Sequence, residues 1–401
     1  MATKLSKIVL AYSGGLDTSV ILPWLKDTYG CKVIAFVADL GQGRGELAGI
    51  ERKALASGAD KCIVADLRRQ FAEQYCFKML AAGAVYEHRY LMGTSVARPL
   101  IAQAQVACAL REKADAVTHG TTGKGNDQVR FELTYMALAP RLAIIAPWKD
   151  PRFKLTSRQA AIAYARARGI PVAATKKSIY SRDRNLWHIS HEGADLEDPR
   201  NEPADSLWVM SVPVVKAPNR PQYVRVDFKA GVPVSVNGRR LPGHDLVAAL
   251  NAVGGKHAVG QTDLVENRLV GIKSRGAYET PGGTILYEAH RALESLVLDR
   301  NTLHYKQLVA HKYAELVYNG QWFSPLRVAL DAFVAATQRN VTGTVRVKCL
   351  KGRATVAGVA SPHSLYNPKL ASFTMGDEYT PSDASGFIKL FGLQMKGRGQ
   401  S

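Results

Sequence analysis

Within the first 170 residues, five short apolar runs alternate with stretches of helical periodicity, and this alternation limits the possible folds more than any other feature. The runs are 7–12 (KIVLAY), 32–38 (KVIAFVA), 61–65 (KCIVA), 115–118 (DAVT) and 142–146 (LAIIA). Helical stretches fill 17–29, 46–57, 68–82, 95–113, 128–138 and 156–168. Strands that are apolar at nearly every position must be covered on both faces, and intervening helices make them parallel through right-handed crossovers. The expected class is therefore α/β, with a doubly wound parallel sheet. Pro23 stands inside the first helical stretch, so a kink or a lost hydrogen bond is expected there. Sheets of this kind take ligands beyond the carboxyl ends of their strands. Three loops rich in glycine and polar residues follow the first, second and fourth runs: Ser13–Ser19, Asp39–Gly43 and His119–Asp127. They are expected to meet at one edge.

The first of these loops carries the sharpest chemistry. Ser13, Gly14 and Gly15 turn the chain, and Asp17 or Thr18 is placed to cap the helix that follows. The loop offers bare backbone N–H groups, the hydroxyls of Ser13, Thr18 and Ser19, and a helix N-terminus, a set suited to phosphate. It lacks the lysine of the common G-x-x-x-x-G-K-[ST] loop. The run SGGLDTS instead resembles the loop of ATP pyrophosphatases, which hold the β and γ phosphates while the α phosphate is attacked. Gly41-Gln42-Gly43-Arg44-Gly45 hints at a dinucleotide fingerprint, but Glu46 occupies the place of its last glycine.

Bulk properties exclude several classes. The formal net charge is +19, from 53 Lys and Arg against 34 Asp and Glu. The basic residues are dispersed rather than gathered into a stripe or arm, so the charge reads as solvated surface that attracts anionic small substrates, not as a nucleic-acid interface. No apolar run approaches the roughly 20 residues of a membrane span, and no secretory leader is visible. The five scattered cysteines form no C-x-x-C pair and suit reduced thiols in a cytoplasmic enzyme. His188 and His191 have helical i, i+3 spacing, but without a third ligand they make no metal site.

Beyond about residue 170 the texture changes. Residues 197–221 read as an extended excursion, and 222–238 as a hairpin with turns at Gly231 and Asn237-Gly238. Helices are expected over 243–252, 284–299 and 302–319, with a strand pair around Lys351-Gly352. The tail 382–395 carries apolar residues at helical spacing, and an exposed helix of that kind usually docks on something. The expected division is a nucleotide-binding domain at 1–170, an α+β domain at 171–358 and a C-terminal arm at 359–401.

The segments AYSGGLDTS, YEHRYLMGTSVARPLIA, HGTTGKGNDQVRFEL, SRDRNLWHISHEG and VENRLVGIKSRGAYETPGGT, in this order, resemble the argininosuccinate synthase family over nearly the whole chain. The resemblance implies adenylation of citrulline by ATP, with Mg²⁺ accompanying the triphosphate, followed by displacement of AMP by the amine of aspartate. It also implies a cytoplasmic homotetramer with exchanged C-terminal helices. The implied ATP contacts are Ala11, Tyr12, Ser13, Gly14, Gly15, Leu16, Asp17, Thr18, Ser19, Ala38 and Gly120. Citrulline would meet Tyr90, Ser95, Asn126, Arg130, Ser181, Ser190, Glu266 and Tyr278. Aspartate would meet Thr122, Asn126 and Asp127. Among these, Asp17, Asp127 and Arg130 would stand closest to the chemistry, Arg130 forking onto a carboxylate and Asp127 meeting an ammonium group. Arg98 and Lys124 are further candidates without an assigned target. Arg184 departs from the family pattern, where an acidic residue is usual, so the Ser181–Ser190 segment is expected to differ locally.

Two other classes share the first loop. A tRNA-modifying ATP pyrophosphatase would carry catalytic cysteines near the nucleotide and a separate RNA-binding domain; neither is visible. A non-catalytic ATP sensor would have no use for the later polar loops.

Overall fold

The computed structural model describes residues 5–123, 125–155, 157–171, 180–372 and 380–397. Strands β1 (Lys7–Ala11), β2 (Lys32–Asp39), β3 (Lys61–Asp66), β4 (Ala116–His119) and β5 (Ala143–Ile145) form one parallel sheet in the order β3-β2-β1-β4-β5. Successive side chains of a strand point to opposite faces, and both faces are apolar. Ile8, Leu10, Val33 and Ala35 pack with Leu22 and Leu25 of the helix Leu16–Tyr29. Val9, Ile34, Phe36 and Val117 pack on the other side with Ala102 and Val106 of the helix Gly93–Arg111 and with Phe131 and Tyr135 of the helix Asp127–Leu138. The sheet is doubly wound, as the alternation requires. The strand order reverses between β1 and β4, so the loops after β1, β2 and β4 are neighbours at the switch point. Buried Gln105 spans the same junction, donating to the Val9 carbonyl at 2.8 Å and the Thr118 carbonyl at 2.9 Å.

Local differences from the sequence pattern have physical causes. The 46–57 stretch is two helices, Arg44–Leu47 and Ile50–Ala56, because Gly49 sits between them at φ 70°. The first helix runs through Pro23 without a break in its assignment. Neither Asp17 nor Thr18 caps it: Gly15 is the N-cap residue, and no side chain satisfies the first amides.

The remaining strands are β6 (Ser181–Arg184), β7 (Ile189–Glu192), β8 (Gln222–Lys229), β9 (Val232–Val236), β10 (Arg239–Arg240), β11 (Gln261–Asn267), β12 (Lys273–Glu279), β13 (Gly343–Leu350) and β14 (Arg353–Ala360). They form two antiparallel sheets, β11-β12-β7-β6 and β10-β9-β8-β13-β14. The β8–β9 hairpin and the β13–β14 pair fall where the sequence put them. The β13–β14 turn uses Lys351 at φ 45° and Gly352 at φ 83°. The sheet β11-β12-β7-β6 and the helix Pro325–Gln338 were not foreseen. That helix has ordinary start signals: Pro325 in its first turn, and Ser324 accepting from the Arg327 amide. The terminal helix Asp383–Phe391 buries none of its residues, leaving Phe387, Ile388, Leu390 and Phe391 exposed.

Candidate functional site

A cavity of about 620 Å³ opens where the loops after β1, β2 and β4 face the sheet β11-β12-β7-β6. Its floor at one end is the β1 loop. Gly14 turns there at φ 74°, and Ile50 packs so closely against it that no side chain would fit without displacement. Ser13 Oγ lies 3.2 Å from Thr18 Oγ1, and the Gly15 amide makes only a long bond, 3.3 Å, to Ser13 Oγ. The uncapped helix start therefore presents amides and hydroxyls together, the arrangement that binds anions. Asp17 lines the cavity beside them; burial raises its carboxyl pKa, with Arg158 opposing.

The β4 loop forms the middle of the wall. Gly120 presses on Thr18, so the two loops touch with no space for a side chain. Asp127 opens the helix Asp127–Leu138 and accepts from Arg98 Nε at 2.9 Å and from Arg130 Nη1 at 2.8 Å. Burial would raise its carboxyl pKa, but the two guanidinium groups hold it below the ordinary range. Arg98 also reaches Asp183 Oδ2 at 2.7 Å, which takes a further bond from Thr94 Oγ1 at 2.8 Å. Arg98, unassigned from sequence, thus clamps the β4 loop to β6.

At the far end, Glu266 is buried and accepts from Tyr278 at 2.8 Å and Tyr318 at 3.0 Å. Burial raises its pKa despite those two donors and nearby Arg130. Arg130 sits over the Tyr318 ring and donates to the Tyr318 carbonyl at 3.0 Å. Asn126 donates to the Tyr318 hydroxyl at 3.0 Å, while its buried Oδ1 has no partner among the described residues. A buried acceptor of this kind is normally satisfied, and in a cavity wall an N–H of a ligand would do so. Tyr90 and Tyr278 lie tilted against each other, ring centres 4.4 Å apart, with Ser190 on β7 opposite Tyr278 on β12. Ser181 stands two residues from Asp183 on β6.

Most of the residues singled out from sequence reach this one cavity. Ala11, Tyr12, Ser13, Gly15, Asp17, Thr18, Ala38 and Gly120 line the end formed by the β1 loop; Thr122, Asn126 and Asp127 its middle; and Tyr90, Arg130, Ser181, Ser190, Glu266 and Tyr278 its far end. Four do not line it. Gly14, within the loop, faces Ile50. Leu16 turns into an apolar cluster with Val20. Ser19 is bonded to the Tyr12 hydroxyl at 3.0 Å. Ser95 is wholly buried under Tyr90. Lys124 lies outside the described residues. Sequence reasoning missed Tyr318, which ends the helix Arg300–Tyr318 and carries no local signal, and Asp183, although the SRDRNLW segment contained it. Arg184 also lines the cavity, near Glu46 of the β2 loop. Burial raises the Glu46 carboxyl pKa while Arg184 opposes that rise. The two histidines do separate structural work. His188 bonds Thr94 at 2.9 Å, and His191 bonds buried Glu279 at 2.9 Å.

The family model "Arginosuccinate synthase N-terminal HUP domain" matches residues 7–171, and "Arginosuccinate synthase C-terminal domain" matches 180–398. Among curated proteins, the argininosuccinate synthase of Roseiflexus sp. (strain RS-1) is 59% identical over 99% of this chain and 97% of its own length. Those of Roseiflexus castenholzii and Pelotomaculum thermopropionicum are 60% and 59% identical, each aligned over 98% of its own length and over 99% and 98% of this chain. With both halves matched, and with relatives this similar from end to end, the chain belongs to the argininosuccinate synthase family.

Proposed function

We propose that this protein joins L-citrulline to L-aspartate using ATP, yielding argininosuccinate, AMP and pyrophosphate through a citrullyl-AMP intermediate, in arginine biosynthesis. It is a ligase that forms a C–N bond. One observation carries the reading beyond family membership: a single cavity joins an amide- and hydroxyl-lined phosphate cradle to a pocket built on buried Glu266 and Arg130. Zwitterionic amino acids need such a pair of opposite charges.

In this reading MgATP enters with its diphosphate on the β1 loop, which exposes the α phosphate to the ureido oxygen of citrulline. Glu266 and its two tyrosines take the citrulline amino group, and Arg130 takes a carboxylate. Asp127 and Asn126 hold aspartate so that its nitrogen meets the activated carbon and AMP departs. The reaction forms no covalent bond to the protein, so positioning and charge stabilisation supply the rate. Asp127 has a second task in this scheme. By pairing with Arg98 and Arg130 it fixes both guanidinium groups beside the reactants. The protein works in the cytoplasm as a homotetramer, its residues 359–401 serving as the arm between subunits and residues 1–170 as the nucleotide-binding domain. Among the described residues no helix is long and apolar enough to cross a membrane.

Pyrophosphate release tests the reading. It is expected with ATP, citrulline and aspartate, and absent when citrulline is omitted. Release that requires tRNA would support the tRNA-modifying class instead, and ATP binding without any release would support a sensor.

A further inference from the structure

The phosphate loop contains no lysine, yet a lysine stands directly behind it. Lys53, in the helix Ile50–Ala56, donates from Nζ to the Gly14 carbonyl at 2.5 Å. One turn earlier, Ile50 packs against Gly14 itself. The Lys53 side chain is half-buried, and burial lowers its pKa, with no carboxylate among the described residues opposing that shift. A half-buried ammonium group is normally paired; here its hydrogen-bond partner is a peptide carbonyl of the anion loop.

The geometry of the peptide gives this contact a consequence. In a trans peptide the carbonyl of Gly14 and the amide of Gly15 point in opposite directions. Anchoring the carbonyl at the back therefore turns the Gly15 amide to the cavity side, where it makes only the 3.3 Å bond to Ser13 Oγ. A peptide with its carbonyl turned the other way would repel phosphate.

We propose that Lys53 is a positioning residue for the diphosphate of the nucleotide: it fixes the Gly14–Gly15 peptide and supplies, from behind, the cation the loop itself lacks. This deepens the nucleotide reading of the β1 loop and rests on it. The charge acts through the loop rather than by contact, so its effect belongs to ligands that carry β and γ phosphates.

The test compares pyrophosphate with AMP as probes, by calorimetric titration of the intact protein with no citrulline present. Lys53→Met is expected to weaken pyrophosphate binding and raise the ATP KM by about tenfold or more, with AMP binding within about twofold. Lys53→Arg should restore most of the loss. Lys53→Gln, which keeps a donor but no charge, should fall between them. Equal weakening of AMP and pyrophosphate would mean general loop collapse and overturn the proposal. Unchanged pyrophosphate binding would overturn it too. Failure of the wild-type protein to bind pyrophosphate would instead overturn the nucleotide reading beneath it.

Discussion

Gly120 of the β4 loop presses against Thr18, which follows β1. A Cβ there would lie 2.6 Å from Thr18 Cγ2, so an added methyl must push the β4 loop away from the phosphate loop. Its backbone is not left-handed, so space alone decides the outcome. Gly120→Ala should destabilise by about 1–3 kcal/mol and raise the ATP KM several-fold, read from steady-state kinetics and denaturant unfolding. Unchanged kinetics would show that the loops have slack. A second expectation concerns His188, which is wholly buried and whose pKa burial depresses to about 4. Its unfolded value is the ordinary one near 6.5. Between about pH 6.5 and 4 the unfolded chain binds the proton and the folded chain does not, so stability falls as pH falls through that window. The loss approaches about 3 kcal/mol. His188→Gln should flatten that dependence in urea titrations at pH 4.5, 5.5 and 6.5; an equally steep slope would place its origin in other groups.

Elements differed in how legible they were. Five strands that are apolar on both faces announced themselves, since β1 and β2 bury alternate residues against two separate clusters. The β13–β14 turn was equally plain because Lys351-Gly352 needs a left-handed pair. The sheet β11-β12-β7-β6 was not, because its strands mix polar and apolar residues where they form a cavity wall: Ser190, Glu266 and Tyr278 all line it. The terminal helix was legible as amphipathic, and among the described residues nothing buries its apolar face. Phe387 is 64% exposed and Phe391 75%. Truncation before residue 380 should leave the α/β core folded by circular dichroism while lowering the mass seen in light scattering. A truncated chain of unchanged mass would remove the arm from assembly.

At the scale of the whole molecule, the site is a junction that sequence could only partly reveal. The β1-loop end follows from local grammar: strand, glycine turn, hydroxyls, helix start. The end built on Glu266 depends on long-range contacts. Tyr318 joins Asn126, Arg130 and Glu266, residues up to 192 positions away, and nothing near it in sequence announces that role. Arg98 was visible as a candidate, but its two carboxylate partners became evident only when β6 met the β4 loop. The proposed reaction requires the cavity to deliver the ureido oxygen of citrulline to the α phosphate held at its other end. Citrulline labelled with ¹⁸O in the ureido group, incubated with ATP, aspartate and the purified protein, tests this by mass spectrometry of the nucleotide product. One labelled oxygen per AMP, with unlabelled pyrophosphate, is the predicted result; unlabelled AMP, or ADP and orthophosphate in its place, would contradict it.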